Sequence, residues 1–260
     1  MIVPHLTVDG TSPSGKAAIR ACLNLYGAVV YQPFPSNKPH SDCPDSLATH
    51  LKGIKLGELI SHPHSDASGC VRIEVVPGKH SYINTTSAST SMHTDGGMVD
   101  NLVGIVAMYC KKGIPGQGRT KLVAFREAFG YLRTINPEDL HLLFHPNALK
   151  VTRDGESASR PVFWWNQDGS LGGRYRGDTG HQAAKIEVYP AAERIFNQLR
   201  EFLEDEVNQM VFDLLPGELL VISNISIVHG RSAFDASEPR LLYRCWFTGK
   251  ASGLGLGFMP

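Results

Sequence analysis

The sequence predicts a mainly β fold with flanking helices, in which many short strands form a jelly-roll or barrel core. Runs of β-branched and aromatic residues recur along the chain, with Gly, Pro, Asn or Asp between them, as in short strands joined by turns. Helical periodicity is confined to a few segments. Because no internal repeat or linker interrupts this pattern, we expect residues 1–260 to form a single domain.

The clearest helix signals lie in two segments. In residues 14–26, Ser14 is suited to cap the N-terminus and Gly27 to end the helix. Residues 191–210 follow Pro190 and repeat apolar side chains at helical spacing, so they predict a long amphipathic helix. Weaker helical signals cover residues 46–60, 124–134 and 137–145.

The predicted strands are runs of β-branched or aromatic residues bounded by turn residues. In chain order they are 28–32, 70–78, 102–110, 120–125, 148–153, 161–165, 215–222, 227–234 and 240–247. The run 120–125 also fits the start of a helix. Residues 33–70 are rich in Pro, Ser, His and Asp, and we expect a long surface excursion there.

Composition narrows the classes of partner. The chain has 25 basic and 25 acidic residues and a pI near 7.2, which gives no reason to expect nucleic acid or an anionic membrane as a partner. No stretch reaches the 18 apolar residues of a membrane span, and no signal peptide is recognisable. The five cysteines are scattered, without a C-x-x-C pair, and predict reduced thiols and a cytoplasmic location.

A candidate metal site is formed by His93, Asp95 and the distant His229. Side chains two apart on an extended segment point the same way, so His93 and Asp95 share one face. Two imidazoles and one carboxylate leave three positions of an octahedral ion open, as in non-haem Fe(II) oxygenases. Context favours these residues over the pair His62-Pro63-His64, because Gly96 and Gly97 follow Asp95 and allow close approach.

Four pieces of the chain together resemble a known family. They are residues 93–96, the turn 116–120, the stretch 216–231 and the arginines Arg240 and Arg244. These pieces resemble the Fe(II)/2-oxoglutarate-dependent dioxygenases of the taurine dioxygenase and clavaminate synthase type. The resemblance implies a double-stranded β-helix, or jelly-roll, core. It also implies an enzyme that uses Fe(II), 2-oxoglutarate and O2 to oxidise an unactivated C–H, releasing succinate and CO2. Hydroxylation is the default outcome, and desaturation or ring closure stay open.

The resemblance also implies roles for three further residues. Thr120 and Arg240 would hold the 5-carboxylate of 2-oxoglutarate, for which the guanidinium is a two-pronged donor. Arg244, on the same face of the strand, would lie nearer the metal and contact the 1-carboxylate or an anionic substrate group.

The sequence says less about the substrate. Relatives of the clavaminate synthase type often act on free amino acids or small molecules derived from them, so the resemblance implies a small zwitterion or carboxylate as substrate. Arg72 could meet its carboxylate or point outward from an alternating strand. Asp100 and Asn101 could meet a cationic group or form a turn. The charged loop 174–178 could cover the site or be solvated.

Two other functions remain open on the residues alone. A Zn-dependent hydrolase could use the same His/Asp/His set, with a metal-bound water as nucleophile. It would leave Thr120, Arg240 and Arg244 without a role. A non-catalytic jelly-roll module that binds a small molecule is the third interpretation, and it has no need of all three metal ligands. Oligomeric state is not indicated by any of these features.

Overall fold

The protein is described by a computed structural model, which covers residues 1–34, 44–76, 85–99, 102–177 and 184–260. Within these ranges the chain is mainly β, as predicted, and four α-helices flank the strands. The helices are α1 (Pro13–Tyr26), α2 (Pro44–Ile54), α3 (Phe125–Ile135) and α4 (Glu193–Glu204). Short 3-10 helices occupy Leu140–Phe144, Pro190–Ala192 and Glu206–Asn208. None of the described helices is both long and apolar enough to cross a bilayer.

The strands of the described ranges are numbered in chain order. They are β1 (His5–Leu6), β2 (Ala28–Tyr31), β3 (Leu59–Ile60), β4 (Val71–Ile73), β5 (Thr90–His93), β6 (Ile105–Lys112), β7 (Thr120–Ala124), β8 (Leu149–Arg153), β9 (Glu156–Arg160), β10 (Phe163–Trp165), β11 (Leu171–Gly173), β12 (Ala184–Val188), β13 (Met210–Phe212), β14 (Leu219–Ser223), β15 (Ile227–Arg231) and β16 (Leu241–Phe247).

Two sheets form the core of the fold. The large sheet has seven strands in the order β1-β2-β14-β6-β16-β3, with β4 also paired to β16. The small sheet has four strands in the order β13-β7-β15-β5. Smaller sheets, β12-β8-β9 and β10-β11, complete the strand pairing. This is the two-sheet core expected of a jelly roll. That residues 1–260 form one domain stays a prediction.

Alternation along the strands creates three apolar layers. On β2, Ala28 and Val30 join a cluster that also includes Leu122 of the small sheet, so this cluster lies between the two sheets. Val29 and Tyr31 instead face α1 and α2. The other side of the small sheet packs on α3 and α4. Successive side chains of a strand point to opposite faces, so each sheet contributes to two layers. We call the faces that meet between the sheets the inner faces.

The sequence misplaced two helix ends, and local side chains explain both. The N-cap of α1 is Ser12, whose hydroxyl accepts from the N–H of Gly15 at 3.0 Å, because Pro13 suits the first helical position. The helix predicted over 191–210 ends at Glu204. There the carboxylate of Asp205 accepts from the N–H of Val207, and this local bond competes with helix continuation.

Two further segments differ from expectation. The predicted surface excursion contains α2, whose Leu47, Leu51 and Ile54 are buried in the core, because the weak apolar spacing there does form an amphipathic face. Strand β9 was not predicted, since its sequence ESASR lacks β-branched residues. It forms because the turn at Asp154-Gly155, both with positive φ, folds it back onto β8.

Gly104 directly precedes β6 and packs closely against the end of β16. The N–H of Gly104 donates to the carbonyl of Phe247 at 3.0 Å, and its carbonyl accepts from the N–H of Asn224 at 2.8 Å. A Cβ atom at this position would lie 2.3 Å from the carbonyl oxygen of Thr248. The backbones therefore approach as closely as glycine alone permits.

We expect Gly104→Ala to lower the free energy of unfolding by about 1–3 kcal/mol, the usual cost of overpacking a close contact. The measurement is urea unfolding followed by circular dichroism. Gly130→Ala is the matched control, because a Cβ there meets nothing within 4 Å and the residue lies inside α3. The control should be neutral or stabilising by about 0.5–1 kcal/mol. Equal stability of Gly104→Ala and the wild type would contradict the packing argument.

Candidate metal centre

The pairing of β5 with β15 places two histidines side by side. His229 is the direct cross-strand partner of His93. On each strand the preceding residue, Met92 or Val228, packs under the helices, so the histidines face inward. Directly opposed residues of an antiparallel pair have Cβ atoms about 5 Å apart, and the two imidazole centroids are 4.4 Å apart.

Asp95 completes the group from two residues beyond His93. Its Oδ1 lies 3.7 Å from Nε2 of His93 and 3.9 Å from Nε2 of His229. One ligand atom from each of the three side chains lies within 4.8 Å of the others, and all three residues are buried. The chain then turns at Gly96, whose φ is 78° and where a Cβ would collide with Val103.

The donor set fits a divalent cation. Nδ1 of His93 lies 2.8 Å from the carbonyl oxygen of Ser91, so it carries the proton and leaves the Nε2 lone pair facing Asp95. Burial, together with the charges of His229 and Arg176, lowers the pKa of His93 well below its usual value. Burial also lowers the pKa of His229. Both imidazoles are therefore neutral at pH 7, as metal ligation requires.

The second oxygen of Asp95 is held by two residues of the large sheet. Oδ2 accepts from Nε1 of Trp246 at 2.8 Å and lies 2.9 Å from NH1 of Arg244. Burial alone would raise the pKa of Asp95, but the Arg244 guanidinium and the two imidazoles more than offset it, and the pKa lies below its usual value. NH1 of Arg244 also donates to Oδ1 at 3.1 Å, so this guanidinium contacts both carboxylate oxygens. The carboxylate is thus ionised and oriented, with Oδ1 also near the Nε2 atoms of the two histidines.

Asn224 fixes the backbone of Asp95. Its side-chain oxygen accepts from the N–H of Asp95 at 2.9 Å, and its amide nitrogen donates to the carbonyl of Asp95 at 3.0 Å and to that of Val103 at 2.8 Å. Asn224 is buried and follows β14 directly. The backbone of Asp95 is therefore fixed by a residue next to the large sheet, although Asp95 itself follows a strand of the small sheet.

A cavity of about 260 Å³ opens beside these residues. Its charged and ionisable lining comes from several separate segments of the chain: His62, His64, His93, Asp95, Arg153, Asp154, Glu156, Arg174, Arg176 and Arg244. Asp154 and Glu156 are exposed at a hairpin turn, whereas Arg153, Arg174 and Arg176 are partly buried. Burial, followed by the nearby Arg153, lowers the pKa of Arg176 to about 10, so this residue remains charged at pH 7.

The segment 174–177 forms one wall of the cavity and is bonded to β5. Tyr175 and Thr94 exchange hydrogen bonds, with the N–H of Thr94 donating to the Tyr175 carbonyl at 2.8 Å. Arg176 pairs with His93 in an isolated bridge, and the N–H of Gly177 donates to the carbonyl of Met92. Residues 174–177 of the loop that could cover the site therefore form a wall of the cavity, held to β5 by backbone hydrogen bonds. Asp178 lies outside the described residues.

The residues expected to hold 2-oxoglutarate lie at one end of the small sheet. Arg240 donates to the carbonyl of Gly118 at 3.2 Å, and a Cβ on Gly118 would meet Nε of Arg240 at 2.7 Å. The guanidinium also lies over the ring of Phe234, 5.2 Å from its centroid. Thr120 is buried two residues beyond Gly118 at the start of β7. Arg240 is thus brought against the turn that leads into Thr120.

Of the three substrate residues proposed from sequence, the structure describes Arg72 alone. Arg72 is exposed and pairs with Glu74 at 2.9 Å, because its neighbours Val71 and Ile73 take the buried face of β4. Of the two orientations that the sequence left open, the outward one is observed, which corrects the proposal that Arg72 meets the substrate. Asp100 and Asn101 lie outside the described residues.

The sequence missed several residues of the site. His62 was weighed only as a competing ligand. Its Nε2 lies 3.4 Å from Arg244, its ring packs on Trp246, and burial lowers its pKa to about 4. Trp246 lies in a predicted strand and carries no sequence signal for the site, but its indole N–H donates to Asp95. Nothing in the sequence indicated Arg153, because it is the last residue of the ordinary strand β8 and reaches the cavity only through the folding of β8 and β9.

Comparison with known proteins gives one family and several similar structures. The sequence model of the family described as "Taurine catabolism dioxygenase TauD, TfdA family" matches residues 4–246. An asparagine oxygenase in complex with Fe(II), (2S,3S)-3-hydroxyasparagine and succinate is 18% identical, with a TM-score of 0.66, over 93% of this chain and 86% of that one.

Two other solved structures have the same fold. PvcB of Pseudomonas aeruginosa is 16% identical, with a TM-score of 0.64, over 92% of this chain and 81% of that one. The non-heme iron oxygenase OrfP, in complex with Fe and alpha-ketoglutaric acid, is 16% identical, with a TM-score of 0.67, over 96% of this chain and 94% of that one. At such identities, these likenesses establish the shared architecture.

We expect His229→Ala to weaken Fe(II) or Co(II) binding by at least about 100-fold, since it removes a direct ligand where even outer-shell changes cost 10–100-fold. The measurement is anaerobic calorimetric titration of the purified chain. His64→Ala is the control, because His64 lines the same cavity outside the three-residue group and should leave the affinity unchanged. Wild-type affinity in His229→Ala would exclude the assignment.

Proposed function

This chain belongs to the TauD/TfdA family and is a 2-oxoglutarate-dependent dioxygenase, and from that premise we propose that it hydroxylates a C–H of a free amino acid or amino-acid derivative. The observation that supports this most directly is the buried group of His93, Asp95 and His229 beside an arginine-lined cavity. The group combines the ligands of a non-haem iron site with room for a small polar molecule.

The three residues would hold Fe(II) and leave coordination positions open. With 2-oxoglutarate and O2, the ion supplies the oxidising chemistry, in which one oxygen atom enters the substrate and 2-oxoglutarate becomes succinate and CO2. The protein contributes position. Trp246 and Arg244 orient the Asp95 carboxylate, and Ser91 orients the His93 ring. Such fixed geometry decides which C–H of a bound substrate lies within reach.

We assign Arg240 and Thr120 to the far carboxylate of 2-oxoglutarate. Arg240 lies beside Gly118, and Thr120 follows in the same turn-to-strand segment. The guanidinium offers a planar pair of donors, and the threonine hydroxyl a third. Arg240 is only partly buried, and both residues lie outside the lining of the 260 Å³ cavity. The co-substrate tail and the substrate would therefore occupy separate places.

The substrate's anionic group is assigned to the arginines of the cavity. Arg244 pairs with Asp95, Arg176 is bridged to His93 through its backbone, and Arg153 also lines the cavity. An anion in this cavity would be stabilised electrostatically by several positive charges, and the low dielectric of the surroundings would strengthen that attraction. A carboxylate is the anionic group that every free amino acid carries. This arrangement supports a zwitterionic or carboxylate-bearing substrate, now without the contribution expected from Arg72.

Similar structures point the same way. The asparagine oxygenase was solved with a hydroxylated asparagine and succinate, and OrfP with hydroxylated arginines. Family membership favours the oxygenase over a Zn-dependent hydrolase or a non-catalytic binding module on the same fold. The cytoplasmic location expected from the cysteines stays a prediction.

The test is a screen of pooled amino acids and their derivatives with Fe(II), ascorbate, 2-oxoglutarate and O2. Succinate is quantified, and each pool is examined by mass spectrometry for a product heavier by one oxygen atom. We expect substrate-dependent succinate from the wild type and none from His229→Ala. Blocking the carboxylate of the active compound as an amide should abolish turnover. Efficient turnover of a neutral, apolar compound would refute the substrate class while leaving the family intact.

Arg240→Ala should raise the KM for 2-oxoglutarate by well over tenfold, since losing a charge-assisted pair that the bound co-substrate covers costs on the order of 2–5 kcal/mol. Initial rates at varied 2-oxoglutarate and saturating substrate measure this directly. Arg72→Ala is the matched control, because this arginine is 58% exposed and pairs with Glu74. Its KM should not change. A folded Arg240→Ala protein with wild-type KM would remove Arg240 from the co-substrate site.

A further inference from the structure

Two buried cysteines meet across the edge of the large sheet. Arg244 of β16 pairs with Val71 of β4 in antiparallel register, so the next residues, Cys245 and Cys70, stand opposite one another. Each side chain is 1% exposed. Their sulfur atoms lie 2.6 Å apart, close to the S–S bonding distance of about 2.05 Å. No large backbone movement is therefore needed to join them.

The pair lies behind the metal centre. On β16, Arg244 and Trp246 face the site, whereas Cys245 lies between them and points into the cluster formed with α1 and α2. A bond at Cys245 would thus enter the core and leave the cavity free. It would tie β16 to β4, a strand of only three residues at the sheet edge.

We propose that Cys70 and Cys245 are a dithiol that hydrogen peroxide converts into an intramolecular disulfide, which fastens β4 to the strand that orients Asp95. The inference does not depend on the substrate or on the oxygenase reaction. It adds to the expectation of reduced thiols that two of them can be joined by oxidation. A disulfide formed on oxidation is compatible with a cytoplasmic location, where such bonds are transient.

The reaction balances with peroxide as the oxidant. The thiolate of Cys70 attacks one peroxide oxygen, the O–O bond breaks, and a sulfenic acid and water result. The sulfur of Cys245 then attacks the Cys70 sulfur, the S–O bond breaks, and a second water leaves. Two thiols lose two electrons and two protons, and one peroxide becomes two waters.

The surroundings select Cys70 as the attacking thiol. A hydrogen bond from the Cys245 thiol lowers the pKa of Cys70, outweighing burial, whereas the same contact raises the pKa of Cys245. Cys70 also directly follows the partly exposed turn 66–69. Local opening at that turn and at the short β4 would admit a molecule as small as peroxide.

The test uses the reduced full-length chain with a chelator, to prevent iron-catalysed side reactions. After peroxide treatment the protein is denatured, alkylated and weighed, and its peptides are mapped. We expect two of the five thiols to resist alkylation, a mass lower by two hydrogens before alkylation, and a peptide pair joined through Cys70 and Cys245. Dithiothreitol should restore both thiols. The cross-linked protein should unfold at a temperature higher by roughly 5 °C or more.

Cys110→Ser is the matched control, because Cys110 is equally buried in the same sheet and should leave the cross-link intact. Cys70→Ser and Cys245→Ser should each abolish it, and mapping the wild type answers the question should either variant misfold. Three outcomes would overturn the proposal: a cross-link to another cysteine, addition of oxygen to Cys70 without a cross-link, or five alkylatable thiols after peroxide.

Discussion

The buried carboxylate of Asp95 is the constraint around which this fold is organised. An ionised carboxylate removed from water is costly unless it is paired and hydrogen-bonded. Here Arg244 and Trp246 supply the pairing from the large sheet, while His93 and His229 face it from the small sheet. The site therefore forms only where the inner faces of both sheets meet. Packing of the two sheets against each other is what brings the three candidate metal ligands and the residues that orient Asp95 together.

Strand alternation lets a few strands serve both the core and the site. On β16 every second side chain faces the centre, and those between them build the helical side of the large sheet. The same division on β5 and β15 sends Met92 and Val228 to the helices and the two histidines inward. A shift of one residue in register would exchange the two sets, so the surrounding apolar layers fix the ligands in place.

The contacts proposed for the co-substrate and for the substrate come from different segments of the chain. Arg240 lies outside the cavity lining and contacts the turn before β7, whereas the cavity is lined by Arg153, at the end of β8, and by Arg176, in the segment bonded to β5. Walls built from paired backbone hold their side chains more rigidly than free loops do, and pre-organised charges lose less entropy on binding. Under the proposed function, selectivity for the substrate would then depend on segments outside the three-residue metal group, and these segments come from distant parts of the sequence.

The strand-rich class, the three candidate metal ligands and the arginines near β16 could be recognised from the sequence, because period-two patterns and motif spacing are local properties of the chain. Only a weak sequence signal indicated α2, whose burial depends on tertiary packing. The sequence did not predict the end of α4 or strand β9, where Asp205 and a two-residue turn decide between alternatives of similar energy. It also could not place Arg72, Arg153, His62 or Cys70. Whether such side chains meet the site depends on which face of a sheet they occupy and which strand lies beside them, and only tertiary packing decides that.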